Sequence, residues 1–114
     1  MISVFKYSDL EFVRYLGSDD KSEDGGAWIA RLVGRSNSNS VGGGLVRYER
    51  VTVDWDLPFD EVITVLEGQM RVRSGGRTFD LSTGSPVWFP ARTPLTYEVS
   101  DRVVVSYAIY PLAS

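Results

Sequence analysis

The chain has no histidine and no cysteine among its 114 residues. Without imidazole, the usual histidine-held iron, zinc, copper and nickel sites cannot form, nor can a catalytic triad whose base is histidine. Without thiol, disulfides, thiolate nucleophiles and zinc–thiolate sites are excluded together, which fits a reducing compartment. Positive charge is also scarce: 12 Lys and Arg against 15 Asp and Glu give a formal net charge of -3. No basic cluster is present to neutralise phosphates, so neither a nucleic acid nor an anionic membrane is an expected partner. Long apolar runs are missing as well. The segment MISVFKYSDLEF carries Lys6, Asp9 and Glu11, leaving no stretch of signal-peptide length, and no later run is long enough to span a membrane. These absences lead to the expectation of a soluble, cytoplasmic protein whose partner is a small molecule or another protein. A chain of this length has room for one core and one domain, residues 1–114.

Helical periodicity is a further absence, since no 3.6-residue pattern survives more than two turns. What the chain does have is short runs of Val, Ile, Tyr and Phe. They fall at residues 2–7, 27–33, 44–53, 61–67, 69–73, 77–81, 86–89, 95–99 and 102–110. Gly25-Gly26, the stretch SNSNSVGGG at 36–44, Gly75-Gly76 and Thr83-Gly84 stand between them as turn signals. Many short strands with even punctuation predict an all-β sandwich or barrel. The polar stretches 17–26 and 36–40 are expected to be solvated loops, with a lid as the alternative for one of them.

Residues 54–99, DWDLPFDEVITVLEGQMRVRSGGRTFDLSTGSPVWFPARTPLTYEV, resemble the two-motif core of the cupins. That family carries His-x-His, three or four residues, Glu, six residues, Gly; counting back from Gly68 puts Glu61 at the glutamate and Asp54 and Asp56 at the two histidines. Its second motif is met by Gly84 and Pro90, while Arg92 replaces a glycine and Leu95 or Thr96 a histidine. The closest resemblance is to the EutQ-like, ethanolamine-utilisation group, through Gly42-Gly43-Gly44, then Trp55, Leu57, Phe59-Asp60-Glu61, and finally Tyr107 and Tyr110-Pro111. The resemblance implies a single-domain cupin, that is, a double-stranded β-helix or jelly-roll barrel, without the metal histidines. It also implies a link to ethanolamine microcompartments and to acetate kinase activity.

The residues themselves suggest a chemistry. Alternation along a strand puts Asp54 and Asp56 on one face, with Glu61 opening the next strand at the barrel mouth. Three converging carboxylates would suit a hard cation such as magnesium, calcium or manganese. Alternatively, crowding and desolvation would raise a carboxyl pKa toward neutrality and give a general acid or base. Glu61 is the first choice for that role, with Asp56, Tyr97 and Tyr107 as further catalytic candidates. The competing reading of Glu61 is a structural one, a side chain tying down the rim loop, and Asp60 should then face outward.

Trp55, Trp88, Arg92, Asp54 and Tyr48 are the candidates for substrate binding, with Arg92 as the anchor for a carboxylate. Arg71 and Arg73 are expected to face solvent, and Trp28 to pack on the outside of the barrel. No cofactor is expected. Nor is there a phosphate loop, because Gly42-Gly43-Gly44 precedes a strand rather than a helix. Two functions follow: a small-molecule enzyme of the lyase, isomerase or cyclase type, or a non-catalytic module that binds a ligand or docks on a partner. Exposed edge strands predict a homodimer.

Overall fold

The computed structural model describes residues 2–16 and 25–112. It contains β1 (Val13–Leu16), β2 (Gly26–Val33), β3 (Gly42–Trp55), β4 (Asp60–Ser74), β5 (Arg77–Ser82), β6 (Pro86–Phe89) and β7 (Leu95–Tyr110). The only helix among the described residues is a single 3₁₀ turn, Tyr7–Asp9. All pairings are antiparallel, in the order β1-β2-β3-β7-β4-β5, with β6 added on β4. The protein is all-β. Val and Ile dominate the long strands because their branched side chains pack well on a pleated surface.

Three strands, β3, β4 and β7, run the length of the molecule, and two of them are longer than the sequence pattern predicts. The runs at 61–67 and 69–73 form the single strand β4, and those at 95–99 and 102–110 form β7. Gly68 is the reason in β4. It has a φ of 82°, and a Cβ there would collide with the Arg102 carbonyl oxygen of β7, so the glycine makes a bulge rather than a turn. The run at 2–7 is not a strand, because Ile2 and Val4 lie exposed with no partner strand among the described residues. Conversely, Val13–Leu16 pairs with β2 although four residues are too few to show a period. Of the polar loop 17–26, residues 17–24 lie outside the described residues.

A second bulge decides which side chains enter the barrel. Pairing of β3 with β7 runs from Gly42↔Ile109 to Glu49↔Arg102, then resumes at Val51↔Val99, with Arg50 at a φ of 42°. The inward set therefore changes from Val46 and Tyr48 to Val51, Val53 and Trp55. The core itself is centred on Ile63, Val65, Val72, Val103 and Val105, each almost fully buried.

The outer surface is charged over one half. Arg71 pairs with Asp80 at 2.9 Å and Arg73 with Glu98 at 2.6 Å; both pairs are exposed as expected, so solvent screens them and neither adds much to stability. Trp28 lies outside, between the guanidinium groups of Arg14 and Arg47. The outer face also carries an exposed apolar row. Trp88 of β6 sits opposite Val62 of β4, which sits opposite Ala108 of β7, and Tyr110 lies two residue pairs away on the same face.

Candidate functional site

The inward side chains do not fill the barrel at one end. There β3 supplies Val46, Tyr48 and Trp55, β7 supplies Tyr97, Tyr107 and Ile109, and β4 supplies Glu61. The shorter strands add Tyr15 from β1 and Ile29 and Arg31 from β2, and the β3–β4 connection adds Leu57 and Phe59. These residues enclose a cavity of about 170 Å³ that opens to solvent. Below it the barrel is packed, with Met70 and Phe89 buried in the core.

Glu61 is the acidic group in this lining. The desolvation that comes with burial pushes its carboxyl up to about 7. No cation offsets that cost, since Glu61 takes part in no ion pair among the described residues. The rim-tying role falls to its neighbour instead. Asp60 faces outward and accepts a hydrogen bond from the Ala91 backbone N–H at 2.8 Å, fastening the loop after β6 to the start of β4.

Four tyrosines surround the carboxyl. Tyr97 is the hub, edge-on to Tyr48 at 5.5 Å between ring centroids, to Trp55 at 6.4 Å, and tilted against Phe89 at 6.1 Å. Burial raises the phenols of Tyr48 and Tyr97 well above their usual value, and the Glu61 charge adds to the rise in both. Tyr15 and Tyr107 are raised less; burial is again the main cause, while Arg31 pulls both back. At neutral pH all four are hydroxyls able to donate a hydrogen bond. A carboxyl that ionises near neutrality, set among hydroxyl donors in an apolar chamber, can take or give a proton to a small molecule placed between them.

Glu61, Tyr48, Trp55, Tyr97 and Tyr107 are thus brought together, as the sequence places them. Asp54, Asp56, Trp88 and Arg92 are not, and for these the sequence expectation is corrected. Trp55 points into the barrel, and alternation then sends Asp54 and Asp56 outward, where they line an open groove with Arg73 and Arg77. There Asp54 accepts a hydrogen bond from the Thr96 hydroxyl at 2.7 Å. No three acidic side chains among the described residues lie close enough to hold a metal ion. The positions that correspond to a cupin's metal ligands therefore do not fit one here, and the cation site at Asp54, Asp56 and Glu61 is not formed. Trp88 is 62% exposed on the outer face. Arg92 sits on the exposed loop after Pro90, where its backbone N–H donates to the Leu57 carbonyl, and its side chain does not line the cavity.

Two lining residues with polar groups, Tyr15 and Arg31, are not among the candidates marked by the sequence. Tyr15 stacks on Trp55 with centroids 6.3 Å apart and planes 13° apart. The Arg31 guanidinium stands 5.8 Å from the Tyr15 ring centre. Only the alternation in Trp28-Ile29-Ala30-Arg31, with Ile29 turned inward, marks Arg31, two residues on, as a group on the cavity side. The register explains how it reaches there: Arg31 lies opposite Gly44, which lies opposite Tyr107. Gly44 has no side chain between them, and a Cβ there would stand 3.1 Å from the Tyr107 hydroxyl.

Residues 5–113 match the family model described as ethanolamine utilisation protein EutQ. The protein named acetate kinase EutQ of Escherichia coli K12 is 26% identical over 110 residues, which are 96% of this chain and 46% of that protein. The chain thus spans about half the length of that relative. A crystal structure of an ethanolamine utilization protein Q from Salmonella typhimurium LT2 superposes with a TM-score of 0.84 at 24% identity, over 98% of this chain and 88% of the other. An RmlC-like cupin from Shewanella frigidimarina superposes with a TM-score of 0.76 at 13% identity, over 100% and 95% of the two chains, and shows the cupin fold. No helix among the described residues is long and apolar enough to cross a membrane.

Proposed function

The chain belongs to the EutQ family, and from that premise we propose that its cupin barrel is an acid–base enzyme, of the lyase, isomerase or cyclase type, with Glu61 as its proton-transfer group. The observation that carries this reading is the placement of a carboxyl without a cationic partner inside a small chamber walled by four tyrosines and a tryptophan. A group that ionises near the working pH transfers protons in both directions most effectively, and the burial of Glu61 sets it in that range.

The name of the Escherichia coli relative raises the alternative of phosphoryl transfer from a nucleotide. That chemistry rests on Lys or Arg clamps and metal ions around the phosphates. A chamber of about 170 Å³ lies well below the roughly 300–1,000 Å³ of sites that enclose larger ligands. Glycines 42–44 lie inside β3, with no helix behind them to receive phosphate. The residues of this barrel therefore support proton transfer better.

The test is exchange of carbon-bound hydrogen with solvent. Acetoacetate, 2-oxobutanoate and phenylpyruvate in D₂O, followed by proton NMR, should lose their acidic hydrogens faster with the protein than without it. Because removal of a proton needs the ionised carboxylate, the catalysed rate should rise as pH rises through about 7. Ligands that bind without accelerated exchange would overturn the enzyme and leave a binding module.

A docking role is the second reading, favoured by the exposed outer row of Trp88, Val62 and Tyr110, the last 59% exposed. Contiguous apolar surface of this type commonly marks an interaction site. If it joins two copies of the chain, sedimentation should find a homodimer, and Trp88→Ser should yield monomer. A monomeric wild-type protein would sink this reading.

A further inference from the structure

We infer that the chamber is built for a small anionic carbonyl compound, its negative group held by Arg31 at the mouth and its acidic C–H turned toward Glu61. This inference rests on the acid–base reading of the site and specifies its substrate class.

The case begins with the charges. Arg31 lines the chamber together with Glu61, yet the two form no ion pair, and Arg31 has no acidic partner among the described residues. By contrast Arg47, Arg50, Arg71, Arg73 and Arg102 each pair with a carboxylate. The guanidinium of Arg31 is held instead over the Tyr15 ring and acts on the phenols of both Tyr15 and Tyr107. It can therefore present its planar fork of N–H donors to an oxyanion bidentately. Gly44 keeps the path between Arg31 and Tyr107 open, so the Tyr107 hydroxyl can donate to the same anion.

The body of the ligand follows from volume and lining. A cavity of about 150 Å³ with apolar walls accommodates benzene, and this one, of about 170 Å³, is walled by Ile29, Val46, Trp55 and Ile109. A ligand of that bulk anchored at the mouth spans toward the Glu61 carboxyl. In the reacting complex the C–H bond next to the carbonyl breaks and its proton forms the O–H of Glu61. The bonding pair moves to the carbonyl oxygen as an enolate, which a buried tyrosine hydroxyl, that of Tyr48 or Tyr97, stabilises by donating a hydrogen bond. The electron pair then falls back from the oxygen and the proton returns to the same carbon, so the step exchanges hydrogen with no oxidant or co-reactant.

Binding separates this inference from catalysis. Benzoate and benzamide have the same shape and differ in charge, and calorimetric titration at pH 6 gives their affinities without any turnover. The wild-type protein should bind benzoate at least tenfold more tightly than benzamide. Arg31→Gln should remove that preference while leaving benzamide affinity within about twofold, a comparison that also shows the variant to be folded. Equal binding of the two probes, or an Arg31→Gln protein that keeps its preference for benzoate, would overturn the anion site and leave the proton-transfer role of Glu61 standing.

A second readout is pH. Glu61 faces the phenols of Tyr15, Tyr48, Tyr97 and Tyr107 as well as the Arg31 side of the chamber, and it is the member of this set that gains charge between pH 6 and 8. Benzoate affinity should therefore fall several-fold across that interval in the wild type and stay level in Glu61→Gln. A wild-type affinity unchanged by pH would mean that the anion binds away from Glu61, and would overturn the placement.

Discussion

Replacing Glu61 by Gln is expected to abolish catalysed hydrogen exchange, by at least 100-fold, and at the same time to stabilise the folded protein. General acid–base groups commonly contribute about 10²–10⁴ in rate, and an amide cannot take their place. The stability gain comes from linkage. In the unfolded chain the carboxyl titrates near its ordinary value of 4.5, and in the folded barrel near 7. Between these values the folded state holds more protons than the unfolded state, so wild-type stability falls as pH rises from 4.5 through 7. Above that window the loss is complete and amounts to about 3 kcal/mol at most. Glu61→Gln carries no such term. Urea denaturation should find the two proteins nearly equal at pH 4 and the variant more stable at pH 8. A variant that is less stable at pH 8 would make Glu61 a structural group, and retained exchange would remove it as the catalyst.

Gly44→Ala is expected to cost about 3 kcal/mol or more and to remove ligand binding together with stability. The new Cβ would collide with the Ala30 carbonyl oxygen across the β2–β3 pairing, and would lie 3.2 Å from the Arg31 Cα and 3.1 Å from the Tyr107 hydroxyl. Two of these three neighbours are backbone, so relief requires the strands to separate. Overpacking of this type typically costs 1–3 kcal/mol, and more where backbone must move. Gly43→Ala is the control: its side chain would face outward and meet only the Tyr107 carbonyl, at 3.1 Å. The control should stay within about 1 kcal/mol of wild type in thermal or urea denaturation. Equal stability of the two alanine variants would show that β2 yields freely at this point.

Much of this arrangement is legible in the sequence because it depends on composition and period. Six of the seven strands fall on runs of β-branched and aromatic residues, and the motif count picks out Glu61 correctly as a cavity residue, with Asp60 outside. Phase within a strand is harder to read. Asp54, Trp55 and Asp56 cannot all face inward, since neighbours on a strand take opposite faces. Burying one indole is favourable, whereas burying two carboxylates costs several kcal/mol without cations to pair them, so Trp55 takes the inside. Tyr15 was missed because β1 is only four residues long, and Arg31 because its contribution depends on what stands two strands away. That neighbour is Gly44 and then Tyr107, and cross-strand register is fixed by tertiary pairing rather than by any local signal.

The bulge at Arg50 carries a further consequence for how such a barrel changes its chemistry. A strand counts in twos, and this one extra residue advances the count by one. Upstream of it Val46 and Tyr48 face the interior, and downstream Trp55 does. Were the strand regular, Asp54 would take the inward place of Trp55, and the chamber would hold two carboxylates close to its mouth instead of one carboxyl beside an indole. The step from a dry, proton-handling interior to a charged one that attracts cations is then a single residue of backbone inserted or lost. Every side chain could keep its identity while the interior changed its chemistry.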